Sequence, residues 1–335
     1  MLVRNKQNKT LSVWVLADDR AGNRSQCLGV ADALGIDYKI KEISYGFWAS
    51  LPNRLLGASF AGLTTHSRMG FYPPWPDLVI AAGRRTAPVA KKIRSLAIHG
   101  ATGCFLAHIM DPGSSRDDFG LLAVPRHDGL FKGSNALTIT GAPHQLTQSL
   151  LDKESECWRE PLRHLPKPWI ALIVGGSTRR RSFTFNMARE LAARASNMAR
   201  IAGGSLLITT SRRTGDAAEI LIGGITAPSK IFRWDEDNVN DNPYRAYLGL
   251  ADAIIVTGDS TSMCSEACGG TKPVYIYAPT ALTAVKHGRL HKELFDQGYA
   301  RPLTAEGVYE QWEHLPLNAA ADVARAIVKR LDLKN

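Results

Sequence analysis

The amino-acid sequence predicts an α/β protein built from two domains of similar size. Short apolar runs of strand length alternate with helical segments through the first half of the chain, and the same alternation returns in the second half. Between the halves, residues 151–169 are charged and then contain three prolines, a pattern typical of a helix followed by a linker. Because strands alternate with helices, each half should form a mostly parallel sheet with right-handed crossovers.

The first half contains six segments whose apolar pattern predicts strands. They are residues 11–18, 38–45, 77–83, 104–110, 119–125 and 135–140. Helical patterns cover residues 25–35, which end at a glycine, and residues 86–97. We therefore expect a first Rossmann-like domain over residues 1–165.

The second half repeats this organisation. Its predicted strands are residues 169–176, 205–211, 230–234, 251–257 and 273–278. A helix with one apolar face is predicted at residues 183–197. We expect a second Rossmann-like domain over residues 166–316, while the amphipathic C-terminal helix, residues 317–333, could pack back onto the first domain. The two sheets should face a central cleft.

Composition narrows the class of protein. The 335 residues are 44% hydrophobic and 21% charged, as expected for a soluble globular protein. No apolar run approaches the ~20 residues of a membrane span, and the first run ends in Asp18 and Asp19 instead of a cleavage site. The five cysteines form no CxxC, so we do not expect a disulfide framework. We expect a reducing, cytoplasmic location.

The net charge indicates which partners the protein could bind, and the spacing of two histidines raises the question of a metal site. The net charge of +10 suits phosphorylated ligands or an anionic membrane surface, while the chain has no nucleic-acid-binding motif or basic tail, so nucleic acid is not an expected partner. His287 and His291 lie four residues apart but lack a third ligand nearby. This favours a solvated helix face over a metal site, and we expect no bound metal.

Ligands of open α/β sheets bind outside the carboxyl ends of the strands, so the segments that follow strands hold the candidate residues. After the first strand, DDRAGNRSQ (18–26) offers Asp18 and Asp19. The segment is neither GxGxxG nor a Walker loop, and an ordinary strand–helix turn is the alternative. After the third strand, GRRTAP (83–88) contains two arginines that could bind a phosphate or a carboxylate. The alternative is a solvated basic turn.

Two later strand ends in the first half each supply a histidine. His108 lies in HIMDP (108–112) and His127 in VPRHDG (124–129). The same segments contain Asp111 and Asp128, and a histidine or a carboxylate that faces the cleft could act as a general base. A buried, hydrogen-bonded structural histidine is the more common alternative.

Two basic, hydroxyl-rich strand ends in the second half predict a diphosphate site. VGGSTRRRSF (174–183) and TTSRRTGD (209–216) combine glycine turns, hydroxyls and arginines. Backbone N–H groups, the dipole of the following helix and bidentate guanidinium groups would converge there on an anion. The candidate ligand-binding residues are Gly176, Ser177, Thr178, Arg179, Ser182, Ser211 and Arg212.

A third strand end, TGDSTSMCSEAC (257–268), adds a carboxylate to this site. If Asp259 or Ser260 caps the following helix, Ser262 and Glu266 lie four residues apart on one helix face. A carboxylate in that position can accept two hydrogen bonds from a vicinal diol such as a ribose. The alternative is a surface glutamate of no special role.

The chain as a whole resembles the mitochondrial-fission (elongated-mitochondria) family in its bacterial form, and its two-domain layout is similar to GT-B glycosyltransferases. The resemblance covers most of the chain and is carried by residues 13–35, 77–94, 174–183, 209–216 and 256–277. The GT-B resemblance implies a nucleotide-sugar donor in the C-terminal domain, with Glu266 on the ribose, and an acceptor in the N-terminal domain. It also implies that the diphosphate contacts Ser177, Thr178, Arg179 and Ser211, and that neither a metal nor another cofactor is needed.

The catalytic base does not transfer from the resemblance, because DDRAGN replaces the glycine-rich first loop of the peptidoglycan glycosyltransferase. Our candidates are Asp18 or Asp19, with His127 as a further catalytic candidate. Residues 44–76 could indicate where a lipid-linked acceptor is met. They are rich in aromatic and aliphatic residues, include Arg54 and Arg68, and contain no aspartate or glutamate. Such a segment could rest on an anionic bilayer or pack inside the domain.

The candidate diphosphate site, taken with the GT-B resemblance, implies a glycosyltransferase that uses a nucleotide-diphosphate sugar on a membrane or envelope-linked acceptor. It would be cytoplasmic and peripheral at the inner face of the cytoplasmic membrane. Two alternatives stay open. One is a non-catalytic, membrane-associated recruitment factor that retains the fold, and the other is a nucleotide-sugar epimerase.

Overall fold

A computed structural model describes residues 11–99, 103–129, 132–238 and 241–333 of the chain. The chain divides into two compact units, the first formed by residues 1–145 and 318–335 and the second by residues 146–317. Each unit contains a six-stranded sheet in which all neighbouring strands are parallel. The predicted α/β class with two parallel sheets is thus confirmed.

The strands and helices follow in chain order. The strands are β1 (Val13–Ala17), β2 (Tyr38–Glu42), β3 (Leu78–Ala82), β4 (Phe105–Ile109), β5 (Leu121–Pro125), β6 (Ala136–Ile139), β7 (Trp169–Ile173), β8 (Ser205–Thr209), β9 (Ser229–Phe232), β10 (Ala253–Thr257), β11 (Val274–Tyr277) and β12 (Arg301–Pro302). The helices are α1 (Ala21–Leu34), α2 (Asn53–Leu56), α3 (Thr65–Met69), α4 (Ala87–His99), α5 (Gln148–Leu162), α6 (Phe185–Ile201), α7 (Ala217–Gly223), α8 (Tyr244–Leu250), α9 (Thr261–Ala267), α10 (Val285–Asp296) and α11 (Ala319–Leu331).

The first unit orders its strands β2-β1-β3-β4-β5-β6. The residues of β1, β3 and β5 are all buried, which explains their continuous apolar sequence. The C-terminal helix α11 belongs to this unit, where Val323 and Ile327 share one apolar cluster with Val30 and Leu34 of α1. Residues of α11 therefore belong to the same hydrophobic core as residues of β1 and α1.

The second unit orders its strands β12-β11-β10-β7-β8-β9. Its core extends to α5, because Leu151 and Leu162 pack in one cluster with Tyr247 and Leu248 of α8. The division between the units accordingly falls after Gln145 and not at residue 165, the boundary expected from the prolines. The apolar residues of α5 are few, and the prolines that follow them led to the expectation of a helix and then a linker between the domains. Within the described ranges, no helix is both long and apolar enough to cross a membrane.

Candidate functional site

The ends of β10, β7 and β8 lie side by side in the second sheet, so the three predicted segments are neighbours. The glycine pair after β7 occupies the centre. The Gly175 N–H donates to Thr257 Oγ1 at 2.7 Å and the Gly176 N–H donates to Asp259 Oδ2 at 3.1 Å. A Cβ on Gly176 would stand 2.2 Å from the Arg213 carbonyl oxygen, so only glycine allows this approach of the two segments.

Asp259 ties the three strand ends together. Its buried carboxylate forms a 2.6 Å ion pair with Arg213, whose side chain is 34% exposed, besides accepting from Gly176. The second oxygen, Oδ1, is buried and has no hydrogen-bond partner among the described residues. Asp259 therefore holds Arg213 in place, and Ser260 instead of Asp259 caps α9 by accepting from the Met263 N–H at 3.3 Å.

The predicted cradle of backbone N–H groups is not formed at residues 175–178. The Ser177 N–H donates to the Arg213 carbonyl at 2.8 Å and the Thr178 N–H to the Arg181 carbonyl at 2.7 Å, so with Gly175 and Gly176 four successive amides are used internally. That part of the prediction is wrong, because the turn folds back on its own backbone. These four amides are therefore not available to an anion, whereas exposed side chains of the same two segments are.

The hydroxyls of this region are also partly used by the fold. Ser211 Oγ and Thr214 Oγ1 both donate to the Gly175 carbonyl, at 2.5 and 2.6 Å. Ser177 Oγ accepts from the Phe183 N–H at 3.0 Å. Ser211 and Ser177 thus brace the turn, which the sequence pattern could not distinguish from ligand binding.

Side chains that remain accessible include several of the predicted cations. Arg179, Ser182 and Arg212 are exposed, and Thr178 is partly exposed. A cavity of about 430 Å³ beyond the ends of β8 and β9 is lined by Arg212 together with Trp234 and Asp235. The lining combines two arginines and one tryptophan with four acidic residues, Asp216, Asp235, Glu236 and Asp237, so the positive charge of Arg212 lies at a cavity of mixed charge.

Glu266 lies in the second turn of α9, with Ser262 one turn earlier, as predicted. The Tyr244 hydroxyl donates to Glu266 Oε2. Burial raises the pKa of Glu266, while the hydrogen bond from Tyr244 and the charge of Arg245 act in the opposite direction. Glu266 is therefore an oriented, largely desolvated carboxylate and not a surface glutamate.

Two histidines of α10 join the same region, and the prediction that both lie on a solvated helix face is wrong. His291 is buried against Gly258, where an added Cβ would lie 2.4 Å from its Cε1 atom. His287 is partly buried, its Nδ1 has no hydrogen-bond partner among the described residues, and its pKa is lowered chiefly by burial. The apolar neighbours Leu290 and Leu294, on the same face of α10, were the signal that could have revealed this burial.

The described segments contain no group of three or more histidine, cysteine or acidic side chains that could hold a metal ion. His287 and His291 thus remain a pair.

In the first unit, the two candidate bases lie at the end of β1 and share one arginine. Asp18 is buried and accepts from Asn23 Nδ2 at 3.0 Å and from the Tyr45 hydroxyl at 3.4 Å. Arg85 approaches Asp18 at 3.7 Å and pairs with Asp19, whose side chain is 56% exposed. Asp18 is thus surrounded by donors, and Asp19 is the more accessible carboxylate.

The two histidine candidates of the first unit are buried, and Arg84 is exposed but engaged by the fold. His108 bonds the carbonyls of Met110 and Gly83 at 3.0 and 3.2 Å, and burial lowers its pKa to about 4, so it is structural. His127 is buried in a short 3-10 helix after β5, which is separated from β1 by β3 and β4. Arg84 donates to the Leu51 carbonyl at 2.7 Å and braces a neighbouring segment.

Solved structures establish the fold. The UDP-GlcNAc 2-epimerase of Methanocaldococcus jannaschii, in complex with UDP-GlcNAc and UDP, is similar with a TM-score of 0.53 and 14% identity, over 95% of this chain and 100% of that one. The glycosyltransferase of kitacinnamycin is similar with a TM-score of 0.53 and 14% identity, over 96% of this chain and 93% of that one. Both likenesses concern the GT-B fold.

Sequence relatives place the chain in a family. A protein of Rickettsia prowazekii (strain Madrid E), RP120, is 29% identical over 95% of this chain and 98% of its own length. The mitochondrial fission protein ELM1 of Arabidopsis thaliana is 29% identical over 83% of this chain and 69% of its own length. The profile of the family described as mitochondrial fission ELM1 matches residues 21–331. The chain therefore belongs to the mitochondrial fission ELM1 family, and it has a GT-B-like fold.

Proposed function

We propose that this protein is a nucleotide-sugar-dependent glycosyltransferase whose donor binds at the carboxyl edge of the second sheet and whose acceptor is linked to a membrane or to the cell envelope. The observation that carries the proposal is the Arg213–Asp259 ion pair, which joins the ends of β8 and β10, with the oriented carboxylate of Glu266 on α9, the helix that follows β10. A structural neighbour solved in complex with UDP-GlcNAc and UDP supports the donor class.

In this proposal the diphosphate is held by side chains and not by backbone N–H groups. Arg213 keeps guanidinium N–H groups beyond its pair with Asp259, and Arg179 and Arg212 are exposed beside it. When the bond between the anomeric carbon and the diphosphate oxygen breaks, negative charge develops on the leaving diphosphate. Preorganised cations would stabilise that charge.

The nucleoside would be recognised by the two flanking features. Glu266, held by Tyr244, would accept hydrogen bonds from the ribose hydroxyls, with Ser262 one turn away. The cavity beside Trp234 would receive the base, since aromatic side chains stack on nucleobases.

The acceptor hydroxyl must lose a proton as it attacks the anomeric carbon. We assign the base to Asp19 ahead of Asp18, because donors enclose Asp18 whereas more than half of the Asp19 side chain is exposed. Release from Arg85 would free Asp19 to take the proton.

The test is binding of uridine, cytidine, guanosine and thymidine diphosphates, measured by calorimetry. At least one should bind, and Glu266→Ala should weaken its affinity by about 1–3 kcal/mol, the scale of hydrogen bonds to a charged group. Glu156→Ala, which changes an exposed glutamate of α5, should leave affinity unchanged. Failure of every nucleotide to bind would reject the proposal.

Two observations favour a second function, the recruitment factor without catalysis. Both candidate bases contact Arg85, and four amides of the glycine turn are used internally. A recruitment factor would bind no nucleotide, or bind it without turnover. An epimerase, in contrast, would convert its nucleotide sugar in the absence of any acceptor.

A further inference from the structure

The acid-free segment 44–76 divides into a buried part and an exposed part. Phe60 and Phe71 stack with ring centroids 5.1 Å apart. The ring centroids of Trp75 and Trp14 of β1 are 5.9 Å apart. Leu63 is buried in the same cluster. Internal packing, one of the two alternatives for this segment, therefore accounts for Phe60, Leu63, Phe71 and Trp75, whereas Met69 and Tyr72 are exposed.

The exposed part begins with an aromatic pair. Phe47 is 84% exposed and Trp48 is 55% exposed, and their rings meet edge to face with centroids 5.6 Å apart. Leu55, eight residues after Phe47, is 68% exposed. Single exposed apolar residues are ordinary, but three large ones within nine residues indicate an interaction surface.

This exposure is not the result of a loosely held loop. Arg84 donates to the Leu51 carbonyl at 2.7 Å and to Asn53 Oδ1 at 3.1 Å. Asn53 in turn donates to the Arg84 and Pro112 carbonyls, both at 2.6 Å, and Ala49 and Leu56 are buried. The fold thus anchors one side of the segment and presents the other side to its surroundings.

The charge around these side chains selects the partner. Residues 44–76 contain no aspartate or glutamate, and the exposed Arg54 adjoins Leu55 on α2. Aromatic rings with neighbouring cations are the combination that partitions into the headgroup region of an anionic bilayer. We propose that Phe47, Trp48, Arg54 and Leu55, called here the 47–55 surface, insert into the interface of a bilayer that contains anionic lipids.

The first experiment is co-sedimentation with phosphatidylcholine vesicles, with and without phosphatidylglycerol. The protein should bind better when phosphatidylglycerol is present. The double variant Phe47→Ala/Trp48→Ala should bind at least about tenfold more weakly, because burying one aromatic side chain already corresponds to a factor of that size. The control Ile201→Ala/Leu315→Ala, which removes two exposed apolar side chains of the second unit, should bind like the unchanged protein.

Two further variants separate insertion from adsorption. Trp48→Phe should retain binding but lose much of the blue shift in fluorescence that vesicles induce. Arg54→Glu should weaken binding to anionic vesicles roughly tenfold and leave binding to neutral vesicles little changed, because the charge acts through the surface potential. Arg200→Glu, on an exposed helix position of the second unit, controls for the same change in net charge and should have a smaller effect.

Equal vesicle binding by the protein and its 47–55 double variant would overturn the proposal. So would a dimer in analytical ultracentrifugation that the double variant abolishes while vesicle binding is absent, since the surface would then serve a second copy of the chain. The inference goes beyond the nucleotide site, and every assay omits nucleotide. Its failure therefore leaves the proposed donor chemistry untouched, and the reverse also holds.

Discussion

Gly176 shows how one missing side chain makes the candidate site possible. Its φ of 141° and the 2.2 Å that would separate an added Cβ from the Arg213 carbonyl both exclude other residues. Gly176→Ala should therefore cost about 2–4 kcal/mol of unfolding free energy, from backbone strain and overpacking.

Urea denaturation measures the cost of this substitution. Gly223→Ala is the matched control, because nothing lies within 4 Å of its added Cβ and the residue ends α7. That change should be neutral or slightly stabilising. Equal losses of unfolding free energy in the two variants would contradict the close contact between Gly176 and the Arg213 carbonyl.

Asp259 is the second residue on which the site depends. Asp259→Asn should lower the unfolding free energy by about 1–3 kcal/mol, because Arg213 loses its carboxylate while the rest of its environment persists. Asp322→Asn, which breaks an exposed pair with Arg325, should cost less than about 1 kcal/mol. A comparable loss in both variants, measured by urea unfolding, would contradict the role given to Asp259.

At the scale of elements, α10 depends on a neutral histidine. Burial lowers the pKa of His291 from 6.5 to about 4, and the nearby charge of His287 adds to the effect. Since the folded pKa is below the unfolded value, the unfolded chain binds the proton first as pH falls. The resulting stability is complete above about 6.5 and is lost progressively towards about 4.

His291→Gln should flatten this part of the pH profile for the second unit, although it lowers stability at neutral pH. Unfolding free energy measured across that range checks the prediction. The first unit contains its own buried histidine, His108, with a pKa of about 4, so its profile should keep the same slope. If the unfolding free energy of the second unit depends on pH equally in the variant and the unchanged protein, His291 is not the source of this pH dependence.

The comparison of sequence and structure also belongs to this scale. Every strand that appeared as a continuous apolar run was predicted, because such runs are buried on both faces. The burial of His287 and His291 was missed, since two basic, polar side chains hid the apolar face of α10. The use of the amides at 175–178 within the turn could not be predicted at all, because a glycine turn that binds an anion and one that folds on itself have the same sequence pattern.

At the scale of the whole molecule, the chain crosses between the units twice, since α11 returns to the first unit after residue 317. The apolar face of α11 packs on α1, and Ile327 is completely buried there. Stability of the first unit should therefore depend on the last residues of the chain. Ile327→Ala should cost the first unit about 2–5 kcal/mol through lost burial and a cavity.

Hydrogen exchange locates this loss within the molecule. Protection of β1 and β3 should fall in Ile327→Ala, while β7 and β10 keep theirs, because their core contains no residue of α11. Val308→Ala, at a half-exposed position of the second unit, should alter neither sheet by more than about 0.5 kcal/mol. Loss of protection in β7 and β10 would mean that the two units unfold as one, and that α11 stabilises the chain as a whole instead of one half of it.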